Sequence, residues 1–245
     1  MLSYIWKTIK YILREVKGTI RYVFAWQEPS LDMMEYDQYW QTRGHHTMQP
    51  RYSIFSEIID YRSSILDLGC GDGFLLQYLR DSKSAQVHGI DISEEAVRLA
   101  RERKIEITVG DISEIDIEGA YDYIIVSEVL EHLDDPEAVI AKTKGKFCKA
   151  LLISIPNIGY YKHRLRLLLG RFPVQWAWHP SEHLRFWTVV DFRLWLRQFG
   201  LDKAAVFASN GVPVLRDLLP NLFGDQVVFV VDPPPPDSNT DQIPD

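Results

Sequence analysis

Three glycines alternate along one short stretch of the sequence, ILDLGCGDGFLL (residues 65–76), at positions 69, 71 and 73. An apolar run precedes them and a helix-like run follows, so they mark a turn from a strand into a helix. Glycine lets the backbone approach a ligand closely, because no Cβ intervenes. A dinucleotide fingerprint would need glycine at position 74, which is Phe74. The turn therefore predicts either a backbone cradle for another ligand or a tight corner without a ligand.

Two carboxylates follow the next strand-like segments at ordered spacing. Asp91 closes VHGID about twenty residues after the turn, where a carboxylate can accept hydrogen bonds from both hydroxyls of a ribose. Asp111, in VGDIS, stands where it could accept from an adenine amino group, with the backbone of Ile112 nearby. For each carboxylate the competing interpretation is an ordinary solvated loop or a helix cap.

Together, DLGCGDG, GID and GDIS resemble the motifs of class I S-adenosylmethionine (SAM)-dependent methyltransferases, and the resemblance covers residues 60–231. It implies SAM as cofactor. The first turn would face the methionine part of SAM, the second strand end the ribose and the third the adenine. The cofactor-binding residues that it implies are Asp67, Gly69, Cys70, Gly71, Asp91, Ile92, Asp111, Ile112 and Ser127.

A fourth strand-like segment ends in SEVLEHLDDP (residues 127–136). This string resembles the same position in quinone-type O-methyltransferases, where an acidic residue and a histidine line the substrate site and can hold a divalent ion. We predict His132 and Glu128 as catalytic residues, with His132 as the base for a hydroxyl nucleophile, which is poorly ionised. The alternative is an exposed turn before Asp135 and Pro136. No metal ligands are predicted.

The elements that position these motifs alternate between short β-branched runs and helical runs, a pattern typical of a doubly wound α/β fold. N-caps are predicted at Ser93, Asp135 and Thr188. The last two strands resemble the pair that ends the methyltransferase sheet, in which an antiparallel strand is inserted beside the sixth. We therefore expect a seven-stranded, mostly parallel sheet from SILDL, QVHGIDI, IEITV, DYIIV, ALLISI, AAVFAS and QVVFVV.

Residues 1–26 differ electrostatically from the rest, because they sum to +4 while the remaining residues sum to −11. Cations step by three and four along one stripe and apolar residues recur at helical spacing, which predicts a basic amphipathic helix. Its charges argue against a secretory signal and against a membrane span. Two interpretations remain: the helix lies in the interface of an anionic membrane, or its apolar face docks on the domain or on a partner.

Residues 27–59 contain EYDQYWQTRGHH, which resembles the N-terminal lid that covers the cofactor in many methyltransferases. Its candidate cofactor contacts are Tyr36, Tyr39, Trp40 and Arg43, although packing is an equal alternative for Trp40. At the other end, residues 232–245 are rich in proline and polar residues, which predicts disorder.

Residues 156–187 form an insertion rich in aromatic residues and cations. In the superfamily such insertions commonly build the acceptor pocket, so we predict an acceptor with an apolar body and an anionic group. The predicted substrate contacts are Tyr160, Arg164, His179 and His183. The competing interpretation is structural, with HRLRLLL as a short amphipathic helix that the tryptophans pack onto the sheet.

The runs SIPNIGYYKHRLRLLLGRFPV and HLRFWTVVDFRLWLRQFGL resemble the MetW family, over residues 64–201. That resemblance implies a role in methionine biosynthesis tied to a partner acyltransferase. SEVLEHL and the basic helix depart from it. These two features favour an enzyme near a membrane that acts on a lipid, quinone or glycan precursor.

The composition bounds these hypotheses. A content of 46% hydrophobic and 25% charged residues is that of a soluble globular protein, and two cysteines without metal-ligand spacing fit a reducing compartment. We expect a cytoplasmic protein, peripheral at the inner face of the membrane if the first helix binds lipid. The acidic remainder argues against nucleic acid as a partner. Two functions stand: a methyltransferase acting on an oxygen of a small or lipid-linked acceptor, and a SAM-binding regulator of a partner enzyme.

Overall fold

The computed structural model of the chain describes residues 2–30 and 34–234. Within them one sheet is built from β1 (Ser64–Leu68), β2 (Gln86–Asp91), β3 (Ile107–Val109), β4 (Tyr121–Ser127), β5 (Phe147–Pro156), β6 (Ala204–Gly211) and β7 (Gly224–Val231). The strand order is β3-β2-β1-β4-β5-β7-β6. β7 is antiparallel to both of its neighbours, and the other pairs are parallel. The predicted sheet is confirmed, and this order is typical of the class I methyltransferase fold.

The described helices are α1 (Leu2–Phe24), α2 (Tyr36–Arg43), α3 (Pro50–Ile58), α4 (Phe74–Lys83), α5 (Glu94–Glu102), α6 (Pro136–Thr143), α7 (Tyr161–Leu168), α8 (Val174–Trp178), α9 (Val189–Arg197), α10 (Leu215–Leu218) and α11 (Pro220–Phe223). The three predicted N-caps are confirmed. The side chains of Ser93, Asp135 and Thr188 accept the backbone N–H groups that open α5, α6 and α9.

The sheet is buried on both faces, as a parallel sheet between helices requires. Along each strand successive side chains point to opposite faces. Ile65 and Ile125 join one apolar cluster, whereas Leu66 and Ile124 join the other. This packing fixes the strands, so that their carboxyl ends form one edge of the sheet where the predicted motifs meet.

The first helix, α1, lies along α7 and is held there by polar contacts. The hydroxyl of Tyr161 donates to Oε1 of Glu15 at 2.8 Å and lies 2.7 Å from the hydroxyl of Thr19. Lys162 forms an ion pair with Glu15 at 2.7 Å. The hydroxyl of Tyr22 donates to Gln175 at 2.8 Å. The docked face of α1 is therefore its polar one.

Arg166 closes the carboxyl end of α1. Its guanidinium, in a residue only 3% exposed, donates to the backbone carbonyls of Tyr22, Val23 and Ala25 at 2.9 to 3.0 Å. The last carbonyls of a helix have no partner within the helix and carry partial negative charge, so a cation there is stabilising. Side chains of the insertion thus hold α1 in place. The pattern of cations and aromatic residues in the sequence did not indicate this role.

Two further sequence predictions concern a membrane span and the C-terminal residues. In the described residues no helix is both long and apolar enough to cross a bilayer. The prediction of disorder for residues 232–245 falls almost entirely outside the described residues, which end at Pro234.

Candidate cofactor and acceptor site

A cavity of about 760 Å³ opens at the carboxyl ends of the strands, beneath α2. Such a volume accommodates a cofactor-sized ligand. It brings together the predicted cofactor and catalytic residues from four separate strand ends. Its lining includes Asp67, Gly69, Cys70, Gly71, Asp91, Ile92, Asp111, Ile112, Ser127, Glu128 and His132.

The first turn needs its glycines for two reasons. Gly69 and Gly71 have φ values of +76° and +57°, a region that residues with a Cβ rarely adopt. A Cβ on Gly71 would also lie 2.5 Å from Cζ2 of Trp40. The indole of Trp40, on α2, therefore packs directly over the turn, and the predicted lid residues Tyr36, Tyr39 and Arg43 line the same cavity.

Asp67 is a buried carboxyl group with an unused acceptor. It is 2% exposed, and among the described residues its Oδ1 has no hydrogen-bond partner. Burial, and next the charge of Asp91, raise its pKa to about 8. An unpaired acceptor in a cavity fits a cationic ligand, and the methionine part of SAM carries an ammonium group. The predicted role of Asp67 is therefore chemically consistent with its position.

Asp91 joins the first turn to the second strand end. Its carboxylate accepts the N–H of Gly71 at 2.7 Å and that of Ser93 at 3.0 Å. Burial raises the pKa of Asp91, and these two N–H groups lower it in part. A backbone hydrogen bond also orients Asp111, because its Oδ1 accepts the N–H of Ser113 at 2.7 Å. Each carboxylate is thus oriented by backbone at the edge of the cavity.

A short 3-10 helix, Leu130–His132, follows β4 and carries the acidic and imidazole groups. Glu131 is 1% exposed, and neither carboxylate oxygen has a hydrogen-bond partner in the described structure. Burial, and next the charge of Glu128, raise the pKa of Glu131. His132 Nδ1 donates to the carbonyl of Glu182, which leaves the lone pair on Nε2. That nitrogen lies 4.0 Å from Oε1 of Glu131.

His183 completes this acceptor-side cluster of Glu131, His132 and His183. The two imidazole rings lie 4.5 Å apart, and burial together with His132 lowers the pKa of His183 to about 3. Each of the three residues offers one ligand atom within 4.8 Å of the others. Two imidazole nitrogens and a carboxylate with no other partner fit a divalent transition-metal ion. The sequence did not reveal this grouping, because His183 is 51 positions from His132.

Glu128 occupies a strained backbone position beside the cavity. Its φ is +57°, which is uncommon for a residue other than glycine and is often found at functional sites. Its carboxylate accepts from Ser154 at 2.9 Å and from Nε2 of Gln226 at 2.6 Å. Arg51 donates to Ser127 at 3.0 Å and to Gln226 at 3.3 Å. Arg51 and Gln226 line the cavity but lie on α3 and β7, outside any motif.

The comparison with known families agrees with this geometry. Residues 49–231 match the family described as methionine biosynthesis protein MetW. The chain belongs to the MetW family. A bifunctional methionine biosynthesis protein MetXA/MetW from Rhodopirellula baltica is 27% identical over 193 residues, which are 71% of this chain and 31% of that protein. The ubiquinone biosynthesis O-methyltransferase of Chromobacterium violaceum is 33% identical over 98 residues, 34% of this chain and 41% of that protein.

Solved structures share the fold of this MetW-family chain. A SAM-dependent methyltransferase from Archaeoglobus fulgidus has a TM-score of 0.55 and 16% identity, and the match covers 74% of this chain and 91% of the other. A phosphoethanolamine N-methyltransferase 2 from Haemonchus contortus, solved with S-adenosylhomocysteine (SAH), has a TM-score of 0.58 and 14% identity, covering 80% and 56%. At these identities the likeness shows the fold alone, which is that of the class I methyltransferases.

Three of the four predicted acceptor contacts do not line the cavity of this MetW-family protein. Tyr160 is buried, with its ring edge-on to Tyr161 and His163. Arg164 donates to the carbonyl of Gly159, and His179 is exposed and stacks on Trp178. Of the predicted four, His183 lines the cavity, together with its neighbour Glu182. The short helix of the structural alternative is present as α7, but its side chains hold α1 instead of packing onto the sheet.

Proposed function

We propose that the protein transfers the methyl group of SAM to a hydroxyl oxygen of a small-molecule or lipid-linked acceptor. The observation that carries this proposal is His132, which lines the cofactor cavity with Nδ1 hydrogen-bonded and its lone pair on Nε2. A general base is needed when the nucleophile is a poorly ionised hydroxyl. The relative from Chromobacterium violaceum is named as an O-methyltransferase and supports the same reaction class.

The cofactor is held by the strand ends. When bound, SAM would supply a methyl group on a sulfonium: the acceptor oxygen would form the new C–O bond in line as the C–S bond breaks, and SAH would be the leaving group. Asp67 would hold the ammonium group of the methionine part, Asp91 the ribose hydroxyls and Asp111 the adenine amino group. Trp40 covers the turn and excludes water from this part of the cavity.

The acceptor is activated on the opposite side of the cavity. His132 removes the hydroxyl proton at Nε2 while the carbonyl of Glu182 holds its Nδ1 proton. Oε1 of the buried Glu131 lies 4.0 Å from Nε2 of His132. When Glu131 is ionised, its negative charge stabilises the imidazolium that forms on His132. If a divalent cation binds here, Glu131, His132 and His183 would be its ligands, and it would lower the pKa of the acceptor hydroxyl. Nε2 of His132 would then bind the cation instead of acting as the base, because its Nδ1 is already bonded to Glu182.

The test measures SAH released from SAM with catechol, with hydroquinone and with a bacterial lipid extract as acceptors. We expect turnover with at least one of them, at least 100-fold less turnover in His132→Asn, and unchanged SAH affinity in that variant. His88→Asn, at a half-buried position of β2 outside the cavity, is the matched control. Assays with and without EDTA establish whether a cation takes part. Full turnover in His132→Asn would show that His132 is not the general base.

One observation favours a second candidate, a SAM-binding regulator that docks on a metabolic enzyme. In the Rhodopirellula baltica relative the matched region is part of a longer bifunctional MetXA/MetW protein. Copurification of a stoichiometric acyltransferase, combined with SAH binding and no turnover on any acceptor, would support this candidate over the first.

A further inference from the structure

Three different faces run along α1. At about 100° per residue, side chains three and four apart share a face. Glu15, Thr19, Tyr22 and Val23 face the protein and make the docking contacts. The second face is the apolar stripe, defined as Leu13, Val16, Ile20 and Phe24. The third is the cationic stripe, defined as Lys10, Arg14, Lys17 and Arg21.

The apolar stripe is not used for docking. Its four side chains are 51 to 66% exposed, and Trp6 and Ile12 are exposed beside it. The sequence had offered docking of the apolar face and binding to a membrane as alternatives. Because the polar face docks, the apolar stripe remains accessible on the folded protein.

The cationic stripe borders the apolar one on its other side. All four cations are exposed, and none of them forms an ion pair with any carboxylate in the described part of the chain. Glu15, the acidic residue of α1, is already paired with Lys162 at 2.7 Å. The outward side of α1 therefore combines apolar area with uncompensated positive charge, whereas the rest of the chain is acidic.

Two smaller apolar patches flank α1. Leu168 and Leu169, at the end of α7, are 81% and 53% exposed and lie next to the end of α1 that Arg166 and Arg171 hold. Leu218 and Leu219, around the end of α10, are 70% and 55% exposed. Burial raises the pKa of Tyr11 on α1, and the charge of Arg216 on α10 lowers it in part, so Arg216 lies within electrostatic range of Tyr11.

We propose that the outward side of α1 binds the surface of an anionic phospholipid bilayer. The apolar stripe enters the boundary between headgroups and acyl chains, and the cationic stripe contacts lipid phosphates. A second copy of the chain fits less well, because the same surface on it offers no carboxylate to the cationic stripe: Glu15 lies on the docked face and is paired with Lys162. The inference is independent of the methyl-transfer proposal, since it uses no residue of the cavity.

The experiment is cosedimentation of the full chain with phosphatidylglycerol-containing vesicles and with phosphatidylcholine vesicles. We expect binding to the anionic vesicles alone, weakened by salt because exposed charges are screened. The double variant Leu13→Glu/Ile20→Glu should lose binding at least tenfold, and Lys17→Gln/Arg21→Gln about tenfold or more. The matched control is Val190→Glu/Leu194→Glu, which places the same substitutions on exposed positions of α9.

Light scattering and SAH affinity are measured on each variant, so that a folding defect is not read as lost membrane binding. The proposal is overturned if the wild-type chain stays in solution with anionic vesicles, or if Leu13→Glu/Ile20→Glu binds them as well as the control does. It is also overturned if the wild-type chain is a dimer that this double variant dissociates, because the stripe is then an interface between copies.

Discussion

The backbone N–H of Gly71 donates a 2.7 Å hydrogen bond to Oδ2 of Asp91, so the glycine turn after β1 is tied to the end of β2. Twenty positions separate the two residues in the sequence. The same carboxylate is thus a structural brace for the turn and the predicted ribose ligand. Any test of its binding role must therefore separate affinity from folding.

Substitution of Asp91 by Asn should weaken SAH binding by a factor on the order of 10 to 100, because hydrogen bonds to a charged acceptor are lost. Asn keeps the size and one acceptor for the Gly71 N–H, so the fold should persist. Calorimetric titration measures the affinity and thermal unfolding checks the fold. Asp116→Asn, at an exposed position outside the cavity, is the control. Unchanged affinity in Asp91→Asn would show that the ribose binds elsewhere.

Cofactor binding should release a proton from Asp67 at neutral pH. Its pKa is about 8 in the cofactor-free protein, so the group is mostly protonated at pH 7, and an ammonium ligand requires the ionised form. SAH affinity should rise by up to about tenfold per pH unit below pH 8. Titrations in phosphate and in Tris measure the released proton. Asp67→Asn should abolish the release. A wild-type binding enthalpy that is the same in both buffers would contradict this assignment.

The same group gives a stability prediction with a defined sign. The pKa of Asp67 is raised above its unfolded value, near 4, so the cofactor-free folded state binds more protons than the unfolded state. The stabilising contribution of Asp67 to the free energy of unfolding is fully present below about pH 4 and is lost as pH rises through 8. Between pH 6 and pH 8.5, denaturant titrations should therefore show a larger decrease in the free energy of unfolding for the wild type than for Asp67→Asn. An equal decrease in both proteins would contradict it.

Removal of the Trp40 indole should open the lid. In Trp40→Ala we expect SAH to dissociate about tenfold faster and α2 to lose up to about 3 kcal/mol of local stability, since a large buried aromatic side chain is removed. Stopped-flow fluorescence and hydrogen exchange of residues 36–43 measure the two effects. Trp178→Ala, at a half-exposed tryptophan outside the cavity, is the control and should change neither.

Truncation of Arg166 should release α1 while the sheet remains folded. Arg166→Met leaves the carbonyls of Tyr22, Val23 and Ala25, at the end of α1, without this donor, at an expected local cost of about 2 to 4 kcal/mol. Hydrogen exchange should accelerate in α1 but not in α4. Arg171→Met, which removes a more peripheral pair of contacts with Phe24 and Ala25, should cost about 1 kcal/mol. Equal protection of α1 in the wild type and in Arg166→Met would show that other contacts hold the helix.

Much of the fold was predictable from the sequence because its determinants are local. Strand periodicity, the caps at Ser93, Asp135 and Thr188, and the glycine turn each act within a few residues. The insertion of the antiparallel β7 beside β6 followed from the resemblance of the last two strands to a known pair. Since the carboxyl ends of parallel strands meet at one edge, the motifs after β1 to β4 could be placed in one site from the sequence alone.

The acceptor side of the site and the role of the insertion depended on tertiary structure. His183 joins Glu131 and His132 across 51 positions, and Arg51 and Gln226 reach the cavity from elements without a recognisable motif. Aromatic residues and cations have the same pattern whether they bind a ligand or another segment of the chain. The sequence determined that α1 is basic and amphipathic. Only packing decided that its polar face docks on α7, because the partners Tyr161, Lys162 and Arg166 lie more than 140 positions away.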